Sequence, residues 1–131
     1  RGTLPSFATP ATPMGPDPDK RIQRLKEVFK AKISEFREAV FALFGYRIDM
    51  ADQQCRLLSQ FAESDKHVLY FNMSRDNANA LILELLETKY AKSLSPDLLA
   101  YLTQCDSLPA FLSSHTLELF NNQTFVVGGS K

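Results

Sequence analysis

Seven Lys or Arg side chains fall between Lys20 and Glu38, at positions 20, 21, 24, 26, 30, 32 and 37, against three Glu at 27, 35 and 38. That segment carries a net charge of +4, while Tyr46–Ser130 holds six basic and ten acidic residues, a net of −4. The neutral total conceals a basic segment joined to an acidic body. Such a stripe can attract an acidic or phosphorylated partner. The same pattern also fits the solvated face of a helix whose other face is core. The remaining chemistry-bearing residues are scattered. His67 and His115 are single residues, one in an apolar run and one in a helical segment, where a structural role outweighs a catalytic one. Asp49 and Asp52 lie close together, but at a strand end and a turn, where Asp shapes the backbone more often than it moves protons. Cys55 and Cys105 belong to no metal or redox motif, and two lone thiols fit a reducing compartment. The sequence holds no glycine-rich phosphate loop, no Gly-x-Ser-x-Gly and no clustered metal ligands. It shows no catalytic constellation and implies no cofactor. Nucleic acid is disfavoured as a partner, because Glu27, Glu35 and Glu38 interrupt the stripe and the acidic body repels phosphates. No apolar run approaches the ~20 residues that span a bilayer.

A helix must hold the basic residues. Ile22, Leu25, Phe29, Ile33, Phe36, Val40 and Leu43 recur at spacings of 3, 4, 4, 3, 4 and 3, the period of one helix face. Asp17 can cap this helix, Pro18 suits its first position, and Asp19 favours the positive end of the dipole. Gly45 is a natural stop. About 26 residues at ~1.5 Å each give about 40 Å of helix, more than a small domain's core needs. Ile22, Phe29, Phe36 and Leu43 also recur every seven residues, with Leu25 at the matching second core position. Lys32 and Ala39 then weaken the repeat. The pattern predicts a parallel dimer through Ile22, Leu25 and Phe29, with the C-terminal half, widened by Ile33 and Val40, lying on a sheet.

At 131 residues the chain reads as one domain plus a tail, and its first residue, Arg1, marks it as a fragment. Residues 1–18 read as a proline-rich linker or disordered arm, with Pro5, Pro10, Pro13, Pro16 and Pro18 set among small residues and Leu4 and Phe7 as its larger apolar side chains. Residues 19–45 form the long helix, 46–125 an α/β head and 126–131 a loose tail. Strand signals follow the helix at Tyr46–Met50, within Gln54–Phe61 and at His67–Phe71. Ala51–Gln53, Ala62–Lys66 and Ser74–Asn77 read as turns. Ala80–Thr88 has helical propensity but is short and follows a turn, so it is placed as a fourth strand. A helix starts at Ser95-Pro96 and runs to about Thr103. A last one starts near Pro109 and turns Phe111, Leu112, Leu119 and Phe120 inward.

Three segments carry a resemblance. Gln23-Arg24-Leu25-Lys26-Glu27-Val28-Phe29 continues as Lys32-Ile33-Ser34-Glu35-Phe36-Arg37. Gly45-Tyr46-Arg47-Ile48-Asp49 follows. Asp106-Ser107-Leu108-Pro109-Ala110-Phe111-Leu112-Ser113-Ser114-His115 then runs on to Phe120. Over about residues 20–125 the chain resembles the C-terminal domain of the mitotic-arrest-deficient family of spindle-assembly-checkpoint coiled-coil proteins. The last segment is the most specific, because helix formation does not dictate Pro-Ala-Phe-Leu-Ser-Ser.

The resemblance implies an α+β fold: a homodimeric RWD-like head whose long first helix pairs with its twin and packs on a four-stranded antiparallel sheet followed by helices. It implies a non-enzymatic scaffold, nuclear and at kinetochores in mitosis. Arg24, Leu25 and Lys26 match the family's Arg-Leu-Lys motif, which binds a phosphorylated segment of the budding-uninhibited checkpoint kinase. Arg24 would supply a planar fork of donors to the phosphate and Lys26 a second charge, while Leu25 holds the helices together. Thr124, after Leu119-Phe120-Asn121-Asn122-Gln123, matches a family phosphorylation site. The family's site for its HORMA-domain partner lies upstream, where this sequence has the proline-rich arm. The tail also extends past Thr124 where relatives tend to stop. An RWD-like interaction module of the ubiquitin system is the alternative reading.

Overall fold

The computed structural model of the protein describes residues 17–128. Expectations for the arm before Asp17 and for the last three residues lie outside that range. The chain divides within its first helix, after Ala39, into two units.

Helix α1 spans Pro18–Phe44. Asp17 starts it as the sequence predicts. Its carboxylate accepts from the Asp19 N–H at 3.2 Å, and its carbonyl accepts from Lys20 at 3.0 Å and Arg21 at 3.1 Å. These bonds satisfy amides that a helix start leaves open. None of the 27 residues is buried. Ile33 and Phe36, expected on the covered face, are exposed, and Val40 is half-buried.

The second unit begins in the last turn of α1. The Gly45 N–H closes that turn on the Phe41 carbonyl at 2.8 Å, and Gly45 then takes φ +74°. That left-handed conformation is strained for any residue with a Cβ. Strand β1 (Tyr46–Ala51) follows at once, then β2 (Gln54–Ser59), β3 (Leu69–Arg75) and β4 (Leu81–Leu85), an antiparallel sheet in the order β1-β2-β3-β4. The register pairs Ile48 with Leu57, Cys55 with Phe71 and Met73 with Leu83. Alternation along each strand puts Tyr46, Cys55, Leu57, Leu69 and Phe71 on the buried face, and Arg47, Arg56 and Glu84 on the other.

Helices α2 (Lys89–Lys92), α3 (Pro96–Thr103) and α4 (Leu108–Gly128) complete the head. The hydroxyls of Thr88, Ser95 and Ser107 accept from Ala91, Leu98 and Ala110 at 3.1, 3.2 and 3.1 Å, capping the three in turn. Leu98 of α3 and Phe111 of α4 close the core against the sheet.

Four details differ from the sequence reading. Strand β3 runs through Ser74 and Arg75, and its turn begins at Asp76, whose carboxylate gathers the Ala78 and Ala80 amides at 2.8 and 2.9 Å. His67 stands just before β3 and not within it. The four-residue α2 is an addition that propensity does not announce. Helix α4 runs to Gly128, through residues expected to be loose, and Phe120 is exposed, meeting Phe61 edge-on at 5.3 Å.

Candidate functional site: the basic helix and its anchor

The expected site lies in the first unit. Arg24 and Lys26 are exposed, and among the described residues neither makes a hydrogen bond or ion pair. The acidic side chains nearby are engaged elsewhere. Glu27 accepts from Gln23 at 3.2 Å, Glu35 from Lys32 at 3.3 Å and Glu38 from Ser34 at 3.4 Å. Like charges also fall four residues apart along the helix, Lys20 with Arg24 and Lys26 with Lys30. Such pairs cost roughly 0.2–0.5 kcal/mol apiece on a helix unless an anion lies between them.

The structure separates Arg24 from Lys26 around the helix. Two residues at about 100° each put them roughly 200° apart, on opposite flanks of the apolar stripe. One helix therefore cannot present both to one phosphate. Ile22, Leu25 and Phe29 share the stripe between those flanks, 53%, 38% and 42% exposed. The expected residues thus form two charged flanks and an apolar seam.

In the head, His115 is 1% exposed and held at both ring nitrogens. Its Nδ1 lies 2.7 Å from the Tyr46 hydroxyl and its Nε2 2.8 Å from that of Tyr90. Tyr46 donates to the Leu112 carbonyl at 3.1 Å and accepts from the Thr116 hydroxyl at 3.3 Å. That fixes the protons: Nδ1–H donates to Tyr46, and Nε2 accepts from Tyr90. Tyr90 in turn stacks on His67 at 4.6 Å. The clasp ties β1, α2 and α4 around one imidazole. Burial lowers the His115 pKa to about 4 and raises that of Tyr46 to about 12. Burial also raises Tyr90, with Glu118 and Glu63 adding to it. All three groups are neutral at pH 7, far from the range where proton transfer is efficient. The clasp is therefore structural, as the reading of a lone histidine predicts. Its place is marked in the sequence by helical spacing. His115 lies four residues from both Phe111 and Leu119, on the inward stripe of α4.

The other singled-out residues sort simply. Asp49 faces Arg56 across the β1–β2 pair at 3.9 Å, and Asp52 takes φ 52° in the turn. Cys55 is buried, which raises its pKa, and Cys105 is exposed. Among the described residues no group of side chains could hold a metal ion, and no helix is long and apolar enough to cross a membrane. Thr124, expected after the last helix, has its backbone within α4.

A long basic helix with an exposed apolar stripe, followed by a head with a four-stranded antiparallel sheet and helices, defines an α+β helix-and-head domain. The family model described as mitotic checkpoint protein matches residues 16–124, and the chain belongs to that family. It is 45% identical over 103 residues to the human mitotic spindle assembly checkpoint protein MAD1, covering 78% of this chain and 14% of that protein. It is 33% identical over 104 residues to the spindle assembly checkpoint component mad1 of Schizosaccharomyces pombe, covering 79% and 14%. It is 32% identical over 117 residues to the mitotic spindle checkpoint protein MAD1 of Arabidopsis thaliana, covering 81% and 15%. The chain thus spans about one seventh of the curated relatives it matches.

Proposed function

We propose that this domain is a non-enzymatic adaptor of the spindle assembly checkpoint. It dimerises through α1 and reads a phosphorylated segment of a checkpoint kinase, which brings the protein to kinetochores in the mitotic cell. The observation that carries the reading is the state of α1: Ile22, Leu25 and Phe29 exposed on one stripe, with Arg24 and Lys26, which make no ion pair among the described residues, on its flanks. Burying each apolar side chain contributes about 1.5–3 kcal/mol, and a parallel twin offers the matching stripe.

Dimerisation also resolves the separation of the two charges. In a parallel pair with two-fold symmetry, each groove beside the seam is bordered by Lys26 of one helix and Arg24 of the partner subunit. The phosphosegment lies along that groove and reads both. Arg24 gives a two-pronged contact and Lys26 a point charge. Thr124 is proposed as the modified residue on α4, where added phosphate serves as a further docking point.

Calorimetric titration with a phosphorylated kinase peptide and its unphosphorylated twin tests the reading. Wild type binds only the phosphorylated form. Arg24→Ala costs roughly 1.5–3 kcal/mol, the range for a hydrogen bond to a charged group. Arg24→Lys recovers part of that. The smaller Lys26→Ala effect shrinks with added salt. Equal binding of both peptides by wild type refutes phosphate reading. Capture of ubiquitin-conjugating enzymes in its place would favour the alternative module.

A further inference from the structure

Strand β4 is an open edge of the sheet. The Leu86 N–H bonds the Tyr70 carbonyl and the Asp76 N–H bonds the Ala80 carbonyl. With the register of β3 on β4, these bonds fix which backbone groups face inward. Residues 80, 82, 84 and 86 turn their polar groups toward β3. Leu81, Leu83 and Leu85 turn theirs outward, and no hydrogen bond from another part of the described chain reaches them. Beside this edge lies a cavity of about 870 Å³ with an apolar floor that includes Leu83, Leu85, Leu99, Leu102 and Leu108. Its size falls among sites that take a ligand, about 300–1,000 Å³. Among the described residues, Glu84, Glu87 and Asp106 stand on its lining against Lys92 as the one cation there.

We propose that β4 takes a fifth strand: a short extended segment of a partner protein in which apolar and basic residues alternate. The geometry specifies both halves of that pattern. A residue paired opposite Leu83 or Leu85 puts its side chain on the same face as theirs, so alternate apolar side chains enter the cavity. The residues between them emerge on the opposite face, which is the face of Glu84. Outward N–H and C=O groups at Leu81, Leu83 and Leu85 supply the affinity that main-chain pairing gives, and the cavity supplies the choice of sequence. Glu84 on that face selects Lys or Arg as the alternating partner, and Glu87 and Asp106 on the cavity lining add to the negative field there. An uncovered edge strand with Leu81 47% exposed is otherwise a template for unwanted pairing. This surface uses no residue of α1, so it stands or falls apart from phosphopeptide binding.

The test uses the full chain and the capped heptapeptide Lys-Val-Arg-Leu-Lys-Val-Lys, with amide exchange followed by NMR. The peptide slows exchange at Leu81, Leu83 and Leu85 by on the order of tenfold at saturation. Substituting both Glu84→Lys and Glu87→Lys, at exposed positions that leave the core intact, weakens binding at least about fivefold, as the loss of close charge pairs predicts. A peptide with Glu in place of each basic residue, or N-methylated at its apolar residues, does not bind. Equal binding of either control overturns the proposal, as does saturation without protection of those three amides, or no binding at millimolar peptide. Protection that rises with protein concentration in the absence of peptide also overturns it, because a second copy then covers the edge.

Discussion

Replacing His115 with Phe should remove most of the pH dependence that the clasp imposes on folding. His115 titrates near 4 in the folded chain because burial disfavours its charge, and near 6.5 when unfolded. Between these values the unfolded state holds more protons, so stability falls as pH is lowered. The contribution is fully present above about pH 6.5 and is lost progressively down to about pH 4. A difference of about 2.5 units at 1.36 kcal/mol each amounts to about 3 kcal/mol. The substitution keeps a ring beside Phe111, whose centroid lies 6.0 Å from that of His115, but loses two hydrogen bonds, costing about 1–3 kcal/mol at neutral pH. The variant is therefore less stable than wild type at pH 7.5, and the gap closes as pH falls, the two curves meeting or crossing by about pH 4. Urea unfolding followed by circular dichroism, at one protein concentration and several pH values, measures this. The difference between the two proteins isolates His115 from carboxylates that titrate in both. Parallel curves from pH 7.5 to 4 would refute the buried neutral imidazole.

Leu25→Glu together with Phe29→Glu should yield monomers in size exclusion with light scattering and also abolish phosphopeptide binding, since the proposed groove needs two helices; a monomeric wild type at micromolar concentration would remove both expectations. Ser95→Ala should lower stability by about 1 kcal/mol in urea unfolding, the usual loss for an N-cap. A thiol reagent should modify Cys105 rapidly and Cys55 only on unfolding, so two fast thiols in native protein would contradict the burial of β2. Phosphate on Thr124 sits within the last turns of α4, where negative charge opposes the helix dipole by about 0.3–1 kcal/mol; NMR of the kinase-treated domain should show fraying confined to residues after Asn121.

The sequence makes the long helix readable because its two ends are marked chemically, by Asp17-Pro18 and Gly45, and its apolar period is unbroken. The strands are legible where alternation is clean, as in Cys55-Arg56-Leu57. Strand β3 is longer than expected because Ser74 and Arg75 have turn-like identities but pair with Ile82 and Leu81; tertiary pairing overrides local preference there. Strand β4 resembles a helix in propensity, and the family resemblance supports its assignment as a strand. Helix α2 is too short to generate a period. The motif residues of α1 are readable from order alone, yet their placement on opposite flanks needs the helix geometry. The Tyr46–His115–Tyr90 clasp brings together residues up to 69 positions apart, which no local pattern encodes.

Gly45 is the whole connection between a 27-residue helix and the sheet. Mechanically, the chain has no slack at this joint. A pull on the last turn of α1 reaches Tyr46 after a single residue, and Tyr46 is gripped by His115, Thr116 and the Leu112 carbonyl. Tension entering the head first meets the Gln60 N–H on the Gly45 carbonyl at 2.8 Å, at the end of the β1–β2 pairing, and is then shared by three hydrogen bonds in the interior. Two or three flexible residues inserted after Gly45 would leave each of these bonds intact and act as a slipping clutch, lengthening the joint before any load reached the core.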